Sequence, residues 1–258
     1  MTVGYAVFDR RTGRTTIEYH AHRRFRSASV VKILIALDYL EHHPAAIPPG
    51  DLALLRPMLR GSDDRAATQL WTRGGRTRIV QRTSATLGLT DTRPPPADKP
   101  GFWGYTAISA ADMVRTYRYL LDKAPPRVRD FIMGNLDQAA QCARDGFDQY
   151  FGIPRALPRP WAVKQGWSGF GSVPPQRCTR TQTTGHLDGP GRTRVQPVGL
   201  APDLGLGRPV LHTTGAVGTG HRRIVVVLSL HPAGSSWQTS TARLTTLTRA
   251  VYRAGARG

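Results

Sequence analysis

The stretch Ser27-Ala28-Ser29-Val30-Val31-Lys32, followed at once by ILIALDYL, constrains this chain more than any other. Val30, Val31, Ile33, Leu34, Ile35, Ala36, Leu37, Tyr39 and Leu40 leave a helix that starts near Ser27 with almost no polar face, so that helix belongs in the interior. Lys32 sits inside the run. A buried ammonium is costly unless it is paired or gives up its proton, so this lysine needs a chemical reason to be there. Ser29 lies three residues earlier, on the same face and about one turn away. A lysine stripped of water has a lowered pKa, and the neutral amine can take the serine proton and make the hydroxyl a nucleophile. The plain structural reading is a helix N-cap serine followed by a snorkelling lysine.

The 258 residues, 40% of them hydrophobic, are ample for a packed core in one large domain or two small ones. The apolar runs at 33–37 and 224–228 are too short to cross a bilayer, and neither a transmembrane nor a leader segment is visible. A cytoplasmic protein and an exported one whose leader has been removed both fit. The net charge of +19 raises the question of an anionic partner. Only Lys32, Lys99, Lys123 and Lys164 are lysines, the arginines are scattered over every segment, and Glu18 and Glu41 are the only glutamates. That pattern describes a solvated basic surface rather than a groove and speaks against nucleic acid as the partner. Cys142 and Cys178 lack metal-ligand spacing; they pair if the protein is exported and remain two thiols if it is not.

Residues 3–9 and 14–19 read as strands of a hairpin turned at Thr12-Gly13. Helical patterns follow at 52–59, 65–71, 76–87, 109–121 and 127–140, interrupted by the proline-rich DTRPPPADKPGFWGY. Strand patterns return at 161–164, 209–214 and 224–230, and a helix at 236–252 closes the chain. The segment 171–207, rich in Thr, Gly, Pro and Arg, shows no periodicity; a loop this long is either functional or disordered. Both chain ends therefore supply a sheet layer, about 1–26 and 158–258, and the middle supplies a helical lobe, about 27–157. This is an α/β fold of the α+β type, with its active site expected in the cleft between the layers.

Two further stretches join the first. Ser62-Asp63-Asp64 opens the helix in GSDDRAATQLW, and Lys164-Gln165-Gly166 sits at the end of a strand in WAVKQGW. In the order S-x-x-K, S-D-x, K-x-G, the chain resembles the serine β-lactamase and penicillin-binding protein (DD-peptidase) superfamily, nearest to class A β-lactamase-like serine hydrolases. The resemblance spans nearly the whole chain, and two of its four lysines fall on motif positions. It implies one catalytic domain over 1–258, with an antiparallel sheet flanked by helices. It also implies Ser29 as the acylated nucleophile and Lys32 as its general base. Ser62 would relay a proton between Lys32 or Lys164 and the leaving group, while Lys164 would offer positive charge to the cleft and to a substrate carboxylate. The backbone N–H groups of Ser29 and Trp167 would form the oxyanion hole, with Asp64, Gln165 and Gly166 on the substrate side. The scheme needs no metal or cofactor, and its partner is a small-molecule or peptide acyl substrate.

The departures carry as much information. Asp64 stands where the family has asparagine, Gln165 where it has threonine or serine, and the interval from Ser29 to Ser62 is shorter than in class A β-lactamases. The loop after the second motif has no glutamate to activate a deacylating water; only Asp91 and Asp98 could serve, and each also reads as a capping or solvated aspartate. The resemblance thus implies a hydrolase or acyl-transferase with weak or no β-lactam turnover, and as alternative a catalytically silent relative that binds cell-wall peptide or a protein partner. The family's amino-terminal helix is not seen before the first strand, which leaves a trimmed chain or an exposed face on the last helix. The run from Gly215 to Gly220 precedes a strand and reads as a hairpin turn, not a phosphate loop. His212 reads as a satisfied strand histidine, and Trp103 and Trp167 as packing residues that could also wall a pocket.

Overall fold

The computed structural model describes residues 1–43, 46–179, 205 and 207–257. Thr2–Asp9 (β1) and Arg14–Tyr19 (β2) form the amino-terminal hairpin. Phe25–Arg26 (β3) leads into a 3-10 turn at Ala28–Val31 and the helix Lys32–His42 (α1). The helices Pro49–Arg60 (α2), Asp64–Arg73 (α3) and Thr77–Leu87 (α4) follow, then Ala107–Ile108 (β4), which pairs with β3. Ala110–Asp122 (α5), Pro126–Asp137 (α6) and Ile153–Ala156 (α7) complete the helical region. The strands Trp161–Ser168 (β5), Val210–Val217 (β6) and Arg223–Leu230 (β7) and the helix Trp237–Arg257 (α8) close the chain.

The sheet has the order β2-β1-β7-β6-β5, and every pair is antiparallel. Side-chain alternation along its strands builds a core on each face. On β7, Ile224, Val226 and Leu228 join α1 and α5 in one core. Val225 and Val227 join Trp237, Leu244 and Val251 of α8 in the other. Helix α1 lies in the middle of the first core, with Lys32 through Asp38 and Leu40 all buried, which accounts for its lack of a polar face. Among the described residues no helix is long and apolar enough to cross a membrane.

Several boundaries differ from the sequence reading, each for a local reason. β5 pairs with β6 over all eight residues, so Lys164-Gln165-Gly166 lies within the strand and not at its end. β6 runs on through Val217, and the turn into β7 begins only at Gly218. The helix expected from Ser27 begins as a 3-10 turn and becomes regular at Lys32. Of the two readings of the cysteines, the paired one holds: Cys142 and Cys178 form a disulfide. The expectation for 171–207 falls mostly on 180–204 and 206, outside the described residues.

Candidate active site

Ser29 sits in the 3-10 turn at the head of α1, where residues three apart eclipse one another. Its hydroxyl is thereby stacked on Lys32, whose Nζ donates to Ser29 Oγ at 2.8 Å. The turn is tight: Ala28 adopts a left-handed φ of 44°, unusual for a residue with a Cβ. β5 passes directly alongside. A Cβ on Gly166 would stand 2.9 Å from the Ser27 carbonyl oxygen and 3.3 Å from the Ser29 nitrogen, so only glycine lets the strand approach the turn this closely.

Ser62 arrives from the other side. After α2, the N–H groups of Gly61 and Asp63 both donate to the Pro57 carbonyl, and Ser62 between them takes a left-handed φ of 55°. The turn aims both Ser62 oxygens at Lys32, whose Nζ donates to the carbonyl at 2.8 Å and lies 3.2 Å from Oγ. Asp63 caps α3 by accepting from the Ala66 N–H at 3.0 Å. Asp64, the first residue of that helix, accepts from Lys32 Nζ at 2.6 Å. From β5, Lys164 Nζ donates to Ser62 Oγ at 2.9 Å and to the Gln165 carbonyl at 3.1 Å. The Trp103 ring covers Lys32, with Nζ 4.7 Å from its centroid, and the indole N–H donates to Thr68 Oγ1 at 3.2 Å. Ser29, Lys32, Ser62, Asp64, Lys164 and Gly166 thus converge.

Both amines are fully buried, and charge on them is contested. Burial pushes the Lys32 ammonium below the usual lysine range, while the Asp64 carboxylate pulls it back up. Burial pushes Lys164 well below that range, and the charge on neighbouring Lys32 adds to the effect. A proton on Lys32 is met by a carboxylate in contact, whereas Lys164 faces only a hydroxyl and a carbonyl. Charge is therefore disfavoured less on Lys32 than on Lys164. Ser62 Oγ lies within hydrogen-bond reach of both nitrogens, so a proton can pass between them through one hydroxyl.

Gln165 is not brought to this group. Strand alternation turns its side chain away, and its amide nitrogen donates to the carbonyls of Gln149 and Phe151. Trp167 shares that face and packs against Phe147, Phe151 and Trp237. Asp91 accepts from the Ser109 hydroxyl at 2.7 Å and contacts His22 at 2.8 Å, and Asp98 pairs with Lys99 at 3.0 Å. Neither makes a hydrogen bond to the Ser29 group among the described residues. His212 is buried on β6, its Nε2 donating to the Arg26 carbonyl and its Nδ1 accepting from the Ser229 N–H. Burial pushes its pKa down to about 3. Among the described residues no cluster of His, Cys, Asp or Glu could hold a metal ion.

Asp145 was missed by the sequence reading. It lies on the loop between α6 and α7, which the Cys142–Cys178 disulfide ties to the segment after β5. Backbone bonds from Cys178 to Gly146 and from Arg144 to Gly61, each 2.8 Å, fix the loop further. The Asp145 carboxylate accepts from Trp167 Nε1 at 3.1 Å. Partial desolvation raises its pKa, and its field reaches Lys32 and Lys164. The one signal in sequence was its place three residues beyond a cysteine.

No protein-family model matches the chain. Among solved structures, it superposes on a class A β-lactamase from Mycobacterium abscessus with a TM-score of 0.66 at 18% identity, covering 98% of this chain and 93% of that one. The structure of PBP-A gives a TM-score of 0.67 at 15% identity, over 100% and 91% of the two chains. An ancestral class A β-lactamase gives 0.65 at 18%, over 98% and 94%. At these identities the likeness is one of fold. LppW of Mycobacterium tuberculosis and of Mycobacterium bovis, named as a lipoprotein and with no reaction in its name, is 31% identical over 261 residues, 98% of this chain and 70% of LppW. The chain belongs to the LppW family, on the serine β-lactamase and DD-peptidase fold.

Proposed function

We propose that this chain is a serine hydrolase or acyl-transferase that cleaves an amide or ester through an acyl-Ser29 intermediate. The observation that carries the reading is the buried Lys32 amine, 2.8 Å from Ser29 Oγ and linked through Ser62 Oγ to Lys164. A binding module has no use for an amine buried beside a serine, since desolvating it costs stability. In the proposed reaction Lys32 first sheds a proton through Ser62 to Lys164, and the neutral Lys32 amine then takes the Ser29 proton as Oγ attacks the acyl carbon. The backbone N–H groups of Ser29 and Trp167 receive the oxyanion. The leaving group takes its proton from Ser62, refilled from Lys164, and water then attacks the acyl-enzyme. With no loop glutamate, and with Asp91 and Asp98 committed elsewhere, β-lactam turnover is expected to be weak or absent. The disulfide and the lipoprotein name of the relatives support a place outside the cytoplasm.

A second reading, a silent relative that binds cell-wall peptide or a protein partner, is favoured by Asp64 clamped on Lys32 and by the inward Gln165. Intact-protein mass spectrometry with a fluorophosphonate separates the two. The enzyme reading expects one adduct on the wild type and none on Ser29→Ala. An unlabelled wild type would sink it. Excess benzylpenicillin in the same assay is expected to leave a slowly released adduct on Ser29 or none.

A further inference from the structure

Thirteen aspartates lie among the described residues, and twelve of them stand within ion-pair distance of an arginine, lysine or histidine. Asp145 is the exception. In a chain of net charge +19, a carboxylate with no cation among the described residues is unusual, and this one sits on a loop bonded through the Arg144 N–H to Gly61, the residue before Ser62, with its charge felt at Lys32. One oxygen accepts from Trp167 Nε1 at 3.1 Å and the other from the Phe147 N–H at 3.2 Å, so each keeps a lone pair for a further donor. The residue is accessible to solvent, and the disulfide holds its loop in place before any ligand arrives.

The groups that would greet a substrate carboxylate are engaged elsewhere. Gln165 bonds inward to Gln149 and Phe151, Lys164 is directed at Ser62 Oγ and the Gln165 carbonyl, and the Arg144 side chain leans towards Asp63 at 3.8 Å. A carboxylate-bearing substrate would instead meet Asp145 and be repelled.

We propose that Asp145 selects acyl substrates carrying an ammonium or guanidinium group near the scissile carbonyl, receiving that cation on its carboxylate. The proposal rests on Ser29 being the nucleophile, and it names what that nucleophile is offered. A charge-assisted hydrogen bond in a partly desolvated cleft is worth roughly tenfold in affinity.

Calorimetric titration with n-hexylammonium and with hexanoate tests the cation site without needing catalysis. The ammonium is expected to bind at least about tenfold more tightly, against the net positive charge of the protein. Asp145→Asn is expected to abolish the preference, while Asp145→Glu, and Asp122→Asn far from the cleft, keep it. Tighter hexanoate binding, or a preference untouched by Asp145→Asn, overturns the proposal. Fluorophosphonates of equal length ending in a primary ammonium or a carboxylate then read Ser29. Labelling that prefers the cationic probe in the wild type and loses that preference in Asp145→Asn supports selection at the reacting centre. Equal labelling of both probes refutes Asp145 as selector and leaves the nucleophile intact. No labelling by either refutes the nucleophile and, with it, substrate selection, whatever the calorimetry gives.

Discussion

Replacing Asp64 with asparagine alters how the cleft shares its protons. Asp64 Oδ1 stands 2.6 Å from Lys32 Nζ, with the aspartate side chain 67% exposed and the lysine fully buried. Two unit charges about 4 Å apart attract by about 1 kcal/mol in water and about 4 kcal/mol near a protein surface. The exposure of Asp64 places this pair towards the lower end, at about 1–2 kcal/mol. The carboxylate favours the ammonium form of Lys32 and so opposes the burial that disfavours it. Asparagine keeps an oxygen for the Lys32 N–H but removes the charge, so the neutral amine becomes more abundant wherever Lys32 is still protonated. A change of about 1.4 kcal/mol is roughly tenfold in that abundance. Asp64→Asn is therefore expected to speed Ser29 labelling by a fluorophosphonate about tenfold on the acid limb of the pH profile. The limb moves to lower pH and the plateau stays where it was. The assay is the adduct rate by intact mass at stepped pH. A rate that falls at every pH would refute the reasoning, because it would make Asp64 an obligatory proton carrier and not a brake.

Three further outcomes follow from the geometry. Gly166→Ala places a Cβ 2.9 Å from the Ser27 carbonyl and from Val30 Cγ2; it is expected to cost about 1–3 kcal/mol of stability and at least roughly tenfold in Ser29 labelling. Unchanged labelling would show that β5 need not lie so close. Replacing Cys142 and Cys178 together by serine opens a link across a sequence separation of 36, and is expected to lower stability by about 3–4 kcal/mol in denaturant titration. A midpoint equal to that of the wild type would contradict this. Burial holds His212 neutral with a pKa near 3 and His231 near 4, both below the usual 6.5. The unfolded chain takes up these protons first on acidification, so stability is full above about pH 6.5 and falls by about 1.4 kcal/mol per pH unit for each imidazole until its folded pKa is reached. Denaturation midpoints that stay level between pH 7 and pH 5 would contradict this.

What the sequence disclosed and what it hid divide along the range of the forces involved. Ser29 and Lys32 are three residues apart, and their pairing follows from helix geometry alone. The helical context of Ser62 and the strand context of Lys164 were equally local, and the order of the motifs supplied the rest. The strand's period of two turns Gln165 to the opposite face from Lys164 and Gly166, so its motif position does not bring it to the site. The full length of β5 depends on pairing with β6, a partner more than forty residues away in sequence. Asp145 reached the cleft through a disulfide whose formation the sequence left open. The charge of Lys164 depends on burial together with a second amine, and neither is visible one residue at a time.

The placement of Ser29 and Lys32 at the head of α1 fixes where this protein can change. Lys32 through Asp38 and Leu40 of that helix are buried, so a substitution that shifts Ser29 also disturbs the packing of the main core. Its opening in hydrogen exchange should approach global unfolding, and the Ser29–Lys32 pair should hold its geometry as long as the protein stays folded. The segments that surround the pair, the stretch 88–106 carrying Trp103 and the cysteine-bound loop carrying Asp145, are largely outside that core and can vary with little effect on it. For the proposed enzyme, a change of substrate would then be made at the rim, with Ser29 mounted on a fixed base.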